Sequence, residues 1–187
     1  MKKSRIVSLA MALCLLPLTV HSKDTVTIYW EELMPSHLLE KLEGLPMLEH
    51  DYSEDAADPF TDDWEDPYAD AWNESLTSTE VVERYAGERI RLPGFIVPLD
   101  IDHQQRVESF FFVPYFGACI HVPPPPPNQL IHVSEVPDDV TIKVDHMYDA
   151  FWLTGVLSLD KKSHEMGVAA YSIDMDKLVP YRHGDDY

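Results

Sequence analysis

The chain has 187 residues, of which 45% are hydrophobic and 11% aromatic, with 33 Asp and Glu against 14 Lys and Arg for a formal net charge of −19. The apolar content excludes a wholly disordered chain, and the length holds one domain with an accessory segment but not two full domains. A surface this acidic repels phosphate backbones and anionic head groups, which excludes nucleic acid as a partner and favours cations or basic partners.

Lys2, Lys3 and Arg5 precede an apolar run from Ile6 to Val20, and Val20 and Ser22 occupy the small-residue positions before Lys23. This layout predicts a secretory signal peptide over 1–22, cut after Ser22. A run of about 15 apolar residues is short for the roughly 20 that a spanning helix needs, so the expectation is a soluble product with no membrane span. Leu13 is too large for the usual lipoprotein site before Cys14. Cleavage removes three basic residues, no acidic ones, and Cys14, which leaves Cys119 as the lone cysteine of an even more acidic chain. It cannot form an internal disulfide, although the expected compartment, a Gram-negative periplasm, is one where disulfides form.

In the mature chain, Thr25 to Trp30 reads as a short strand and Met34 to Gly44 as a helix, with Pro35 in its first turn, leucines at 38, 39 and 42, and Gly44 as its stop. Together these make an N-terminal segment over 23–48. The next stretch, 49–76, is predicted to be a mobile acidic insert: Glu49 to Glu74 holds eleven acids and no Lys or Arg, and self-repulsion opposes its compaction. A calcium loop among Asp62, Asp63, Glu65 and Asp66 is disfavoured because the spacing and glycine such a loop uses are missing. Its aromatics, Tyr52, Phe60, Trp64, Tyr68 and Trp72, suggest that parts of it pack on the domain. Thr77 and Glu80 form a T-x-x-E capping box, predicting a short helix that ends at Gly87.

From there to about 180 the pattern is β, giving a β-barrel domain over 77–180 with a tail over 181–187. Glu88 to Val97, Ser109 to Val113, Asn128 to Ser134, Phe151 to Leu159 and Gly167 to Met175 are strand candidates, with Val140 to Val144 a sixth. Gly94 and Gly155 inside strands mark tight curvature. Five or six short, bent strands with no long helix between them predict a mainly β fold: a small antiparallel, OB-like barrel carrying one or two short N-terminal helices. A β-sandwich is the alternative.

The most informative segment runs from Val113 to Gln129. Pro123, Pro124, Pro125, Pro126 and Pro127 form a stiff polyproline strut. Just before it, Cys119 and His121 are two residues apart, and in extended backbone such residues face the same way. A thiolate and an imidazole so placed suit zinc or copper. The further ligands would come from His132, His146, His103, Asp145 or Asp149, with His132 taken as the third. The competing reading makes Cys119 a buried apolar residue at the barrel end and His121 a carbonyl partner. The proline strut, with Tyr115, Asn128 and Gln129, is then a surface for another protein. A catalytic Cys119–His121 pair ranks third, since no orienting residue or oxyanion-hole glycine pattern accompanies it, and no enzyme activity is expected.

Three strings in this chain resemble an exported bacterial family known as domain of unknown function 3299: G-x-x-V-P-L from Gly94, F-x-x-V-P-Y-F-G-A-C-I-H-V-P-P-P-P-P-N-Q ending at Gln129, and W-L-T-G-V-L from Trp152. The resemblance covers about Val81 to Met175, with W-x-x-L-x-P from Trp30 as a further match, and does not extend to the acidic insert. It implies a periplasmic or lipid-anchored protein without a settled activity. Some relatives are encoded near zinc-responsive ABC-type transporters and histidine-rich periplasmic proteins. The function so implied is that of an accessory factor in zinc or other transition-metal homeostasis, working beside a periplasmic or membrane transport component. The alternative from the residues themselves is a non-catalytic envelope interaction module.

Overall fold

The computed structural model describes residues 24–44, 69–117 and 125–182. The predicted signal peptide, Cys119, His121, and most of the acidic insert lie outside these residues. β1 (Val26–Thr27), a 3-10 turn at Trp30–Leu33 and α1 (Ser36–Glu43) come first, followed by α2 (Ala69–Thr77) and a 3-10 turn at Glu83–Tyr85. The barrel is built from β2 (Arg89–Ile101), β3 (Val107–Val113), β4 (Ile131–Val133), β5 (Ala150–Ser158) and β8 (Tyr171–Pro180). A hairpin of β6 (Lys162–His164) and β7 (Gly167–Ala169) lies between β5 and β8.

The order β2-β3-β4-β8-β5 closes through a β2–β5 pairing, with β1 added outside, parallel to β2. Closure rules out the sandwich. The expected antiparallel barrel is instead mixed, because β4 and β8 run parallel, with Ile131 opposite Tyr171 and His132 opposite Ser172. A ring of five strands cannot reverse direction at every seam, since five is odd, so one pair has to run parallel. The resulting Greek-key path is OB-like.

Closure depends on β2, which pairs with β5 from Arg89 to Phe95 and with β3 from Phe95 onward. The switch occurs at Pro93-Gly94-Phe95. A Cβ on Gly94 would stand 2.5 Å from the Val113 carbonyl oxygen, and one on Gly155 2.2 Å from that of Asp174. Neither strand could approach so closely with a side chain there. Alternation then separates two apolar sets. Ile90, Leu92 and Ile96 of β2, Phe110 and Phe112 of β3, and Leu153 and Leu157 of β5 fill the barrel, while Val97, Phe111 and Val113 form a second cluster outside it.

The N-terminal segment is fastened to the barrel by polar bonds. The Trp30 indole N–H donates to the Pro93 carbonyl (2.6 Å), the buried Tyr171 hydroxyl donates to Leu33 O (2.8 Å), and it accepts from the Val82 N–H (2.6 Å). Burial pushes the Tyr171 hydroxyl above its ordinary pKa, against the Val82 hydrogen bond.

Other sequence expectations need correction. Thr77 does not cap a following helix: it ends α2, where its hydroxyl donates to the Asn73 carbonyl, and Ser78 instead accepts the Glu80 N–H. Positions 69–77, assigned mostly to the mobile insert, form α2, tied to α1 by the Lys41–Glu74 ion pair (2.5 Å). Val140 to Val144 contributes only a bridge from Lys143 to Arg106, because a 3-10 turn begins at Val144. The Asn128 strand start is a 3-10 turn at Pro127–Gln129, since Pro127 fixes φ and has no N–H. Gly167 to Met175 is split at Ala170, whose N–H donates to the Pro127 carbonyl (2.8 Å).

Candidate functional site

In OB-like barrels the outer face of the second and third strands, flanked by the loops after strands one and four, is the usual ligand surface. Here that is the outside of β3 and β4, and it is covered by the chain itself. Phe111 is 0% exposed, and with Val97, Val113, Leu130 and Ala169 it forms the outer apolar cluster. Leu130 comes from the proline turn and Ala169 from β7, so the two connections supply the cover. The His164 ring stands edge-on to Phe111 at 6.1 Å and His132 at 5.8 Å.

His132 lies within this covered zone with Nδ1 buried and without a hydrogen-bond partner. Burial first, then Lys162 and His164 beside it, hold its pKa below the ordinary imidazole value, against the opposing charge of Asp100. The ring is therefore neutral near pH 7, with acceptor or ligand capacity to spare. His164 differs, since its Nδ1 accepts the Met166 N–H (3.2 Å).

Among the described residues, the adjoining face, which meets the outer cluster at Phe95, is open. Tyr29, Trp30, Pro93, Gly94, Phe95, Pro114, Ala150 and Tyr181 line a cleft of about 410 Å³. Beside it runs an aromatic row: the half-buried Phe95 meets the exposed Phe116 (6.3 Å), and Phe116 meets Tyr148 (5.4 Å), which is 67% exposed. Tyr29 and Tyr115 are also exposed. Next to Pro93 and Tyr181, Trp152 is only 1% exposed although it faces outward. It is covered by the Arg91 guanidinium, 3.8 Å from a ring centroid, and by the Tyr181 ring at 5.5 Å.

Of the residues singled out from sequence, Cys119, His121, Pro123 and Pro124 lie outside the described residues. His132 is on β4 as stated. No three His, Cys, Asp or Glu among the described residues gather as a metal site, so His103, His146, Asp145 and Asp149 complete no such group there. Pro125 and Pro126 are buried. Asn128 and Gln129 face inward: Asn128 Nδ2 donates to Glu80 O (3.3 Å) and Gln129 Nε2 to Trp30 O (2.9 Å). Their amides hold the proline turn against the N-terminal segment and are not presented to a partner. Among the described residues of the predicted partner-binding set, Tyr115 is the exposed one, beside Phe116.

Sequence reading missed the cleft. Its lining is drawn from separate stretches of the chain, which no local pattern connects.

No curated protein matches the chain. A crystal structure of a DUF3299 family protein from Pseudomonas aeruginosa PAO1 resembles it, with a TM-score of 0.59 and 31% identity over 86% of this chain and 98% of that one. The family model described as protein of unknown function (DUF3299) matches residues 30–180. The chain, from the segment that walls the cleft to the end of the last barrel strand, belongs to the DUF3299 family.

Proposed function

We propose that this protein is an exported, non-catalytic interaction module of the bacterial envelope that binds an extended segment of a partner protein in the aromatic cleft. The observation that carries this reading is the cleft itself: an apolar trough of about 410 Å³, walled by four aromatic rings and two prolines and continued by the row Phe95–Phe116–Tyr148. Such rings offer large contact area at little entropic cost, and proline-rich or extended segments dock on surfaces of this kind. Export is supported by the basic and apolar start of the chain, Lys2 to Ser22. The test is selection of peptides from a displayed library on the full chain, followed by counter-selection on a Tyr29→Ser/Phe116→Ser variant. Enriched peptides that lose binding to the variant support the reading; enrichment indifferent to the variant, or none, contradicts it.

A specific observation also favours a second reading, a role in zinc or other transition-metal handling beside a transporter. His132 keeps a buried, unpartnered Nδ1 on a neutral ring, and with Cys119 and His121 it would make a soft donor set. Zinc affinity should then fall in both Cys119→Ala and His132→Ala. Unchanged affinity in either variant removes that residue from the set.

A further inference from the structure

Trp152, Thr154 and Val156 share the outer face of β5. Arg91 lies directly across from Thr154 on one side and Lys177 on the other. Cross-strand neighbours of this kind are within side-chain reach of each other. The row Arg91–Thr154–Lys177 thus places two cations over a buried threonine, two residues along β5 from Trp152. Among the described residues neither Arg91 nor Lys177 forms an ion pair, in a chain with 33 acidic side chains. Arg89, at the next outward position of β2, is paired with Asp176. The Trp152 indole N–H is buried with no acceptor.

These groups are all donors. Arg91 lies over the Trp152 ring, and a guanidinium stacked in this way keeps its in-plane N–H groups free for a planar, bidentate acceptor. A buried indole N–H left without a partner is destabilising, and an acceptor that reaches it as the covering Tyr181 ring shifts aside relieves that cost. Pro93 and Tyr181, which flank Trp152, also line the cleft, so an anion here has an apolar surface next to it.

We propose that Arg91, Lys177 and the Trp152 indole N–H form a carboxylate site, which takes an acidic side chain of the partner segment whose neighbouring apolar residues occupy the cleft. This deepens the interaction-module reading and rests on it. The site reverses the charge preference of the molecule as a whole: the acidic surface repels anions generally, whereas this face carries two cations that pair with no acid among the described residues, beside an apolar trough.

The test follows the Trp152 indole N–H in nitrogen-15-labelled full chain, assigned by elimination with Trp30→Phe, Trp64→Phe and Trp72→Phe. The probes are acetyl-Pro-Phe-Glu-Phe-amide and its Gln counterpart. The expected result is a saturable downfield shift with the Glu peptide alone, weakened by salt. Arg91→Met should lower its affinity about tenfold, with a smaller loss in Lys177→Met. Arg91→Lys, which keeps the charge over the ring, separates loss of binding from loss of fold and should recover only part of the affinity. Equal binding of the two peptides overturns the carboxylate site while leaving the cleft reading intact. No shift with either peptide overturns the site as well, and the library selection decides the cleft separately. An indole resonance already downfield in the free chain and returned upfield by salt overturns the proposal in favour of an acceptor from the chain's own sequence.

Discussion

The two outer faces of the barrel differ in what covers them. Over β3 and β4, Leu130 from the proline turn and Ala169 from β7 enclose Phe111, and the covered zone holds a neutral histidine. Over β2, β5 and β8, Trp152 is covered by side chains, Arg91 and Tyr181 among them, and the trough beside it stays open among the described residues. The difference teaches that an OB-like path does not fix which face recognises a ligand. Where the connections are long enough to fold back, they fill the usual face, and the free surface moves to the strands that close the barrel.

The contrast is broken most directly by truncating one ring on each face. Phe111→Ala should cost about 3–5 kcal/mol in chemical denaturation, because it leaves a cavity that the hairpin and turn cannot collapse into. Phe116→Ala, on the open row, should cost less than about 1 kcal/mol. Similar losses would mean that both faces are core or that neither is. Tyr171→Phe should lie between, at about 1–3 kcal/mol, since it strands the Leu33 carbonyl and the Val82 N–H in a buried setting. It should also loosen the Tyr29–Trp30 wall of the cleft, seen as faster hydrogen exchange across Trp30–Leu33.

The covered face carries the pH dependence. The His132 pKa is lowered in the folded state, so the unfolded chain binds its proton first as the solution is acidified. Stability should be fully present above about pH 6.5 and decline as the pH falls below it toward the depressed folded value. His132→Gln should flatten that decline, and a slope identical to wild type in the urea midpoint between pH 7 and 5 would contradict it. The smallest effect is expected from the acidic stretch. Replacing 45–68 by a Gly/Ser linker, while keeping α2 and its Lys41–Glu74 pair, should change the unfolding free energy by no more than about 1 kcal/mol, since a like-charged stretch with no Lys or Arg of its own contributes little.

How far these features could be read from the residues depended on their range. Period-2 alternation in Ile90, Leu92 and Ile96, and the glycines at 94 and 155, announced a small bent barrel because each is a local signal of burial or close approach. The parallel β4–β8 seam follows from closure of five strands, which no single segment reveals. Thr77 misled because a T-x-x-E string also fits a helix end, where the hydroxyl turns back to the Asn73 carbonyl. His132 was legible as a residue type, but its covered setting depends on a hairpin whose Lys162-Ser163-His164 strand has no apolar alternation. The cleft draws Trp30, Pro93, Ala150 and Tyr181 from four separate stretches of the chain, and no short pattern joins them.

The central claim is that recognition uses the open face and not the covered one, and a photo-crosslinking residue placed in turn at positions 116 and 164 of the full chain tests it most directly. The account predicts a discrete adduct from position 116 that Tyr29→Ser abolishes, with none from position 164. An adduct from 164 that survives Tyr29→Ser, with none from 116, would contradict it and return the binding surface to β3 and β4.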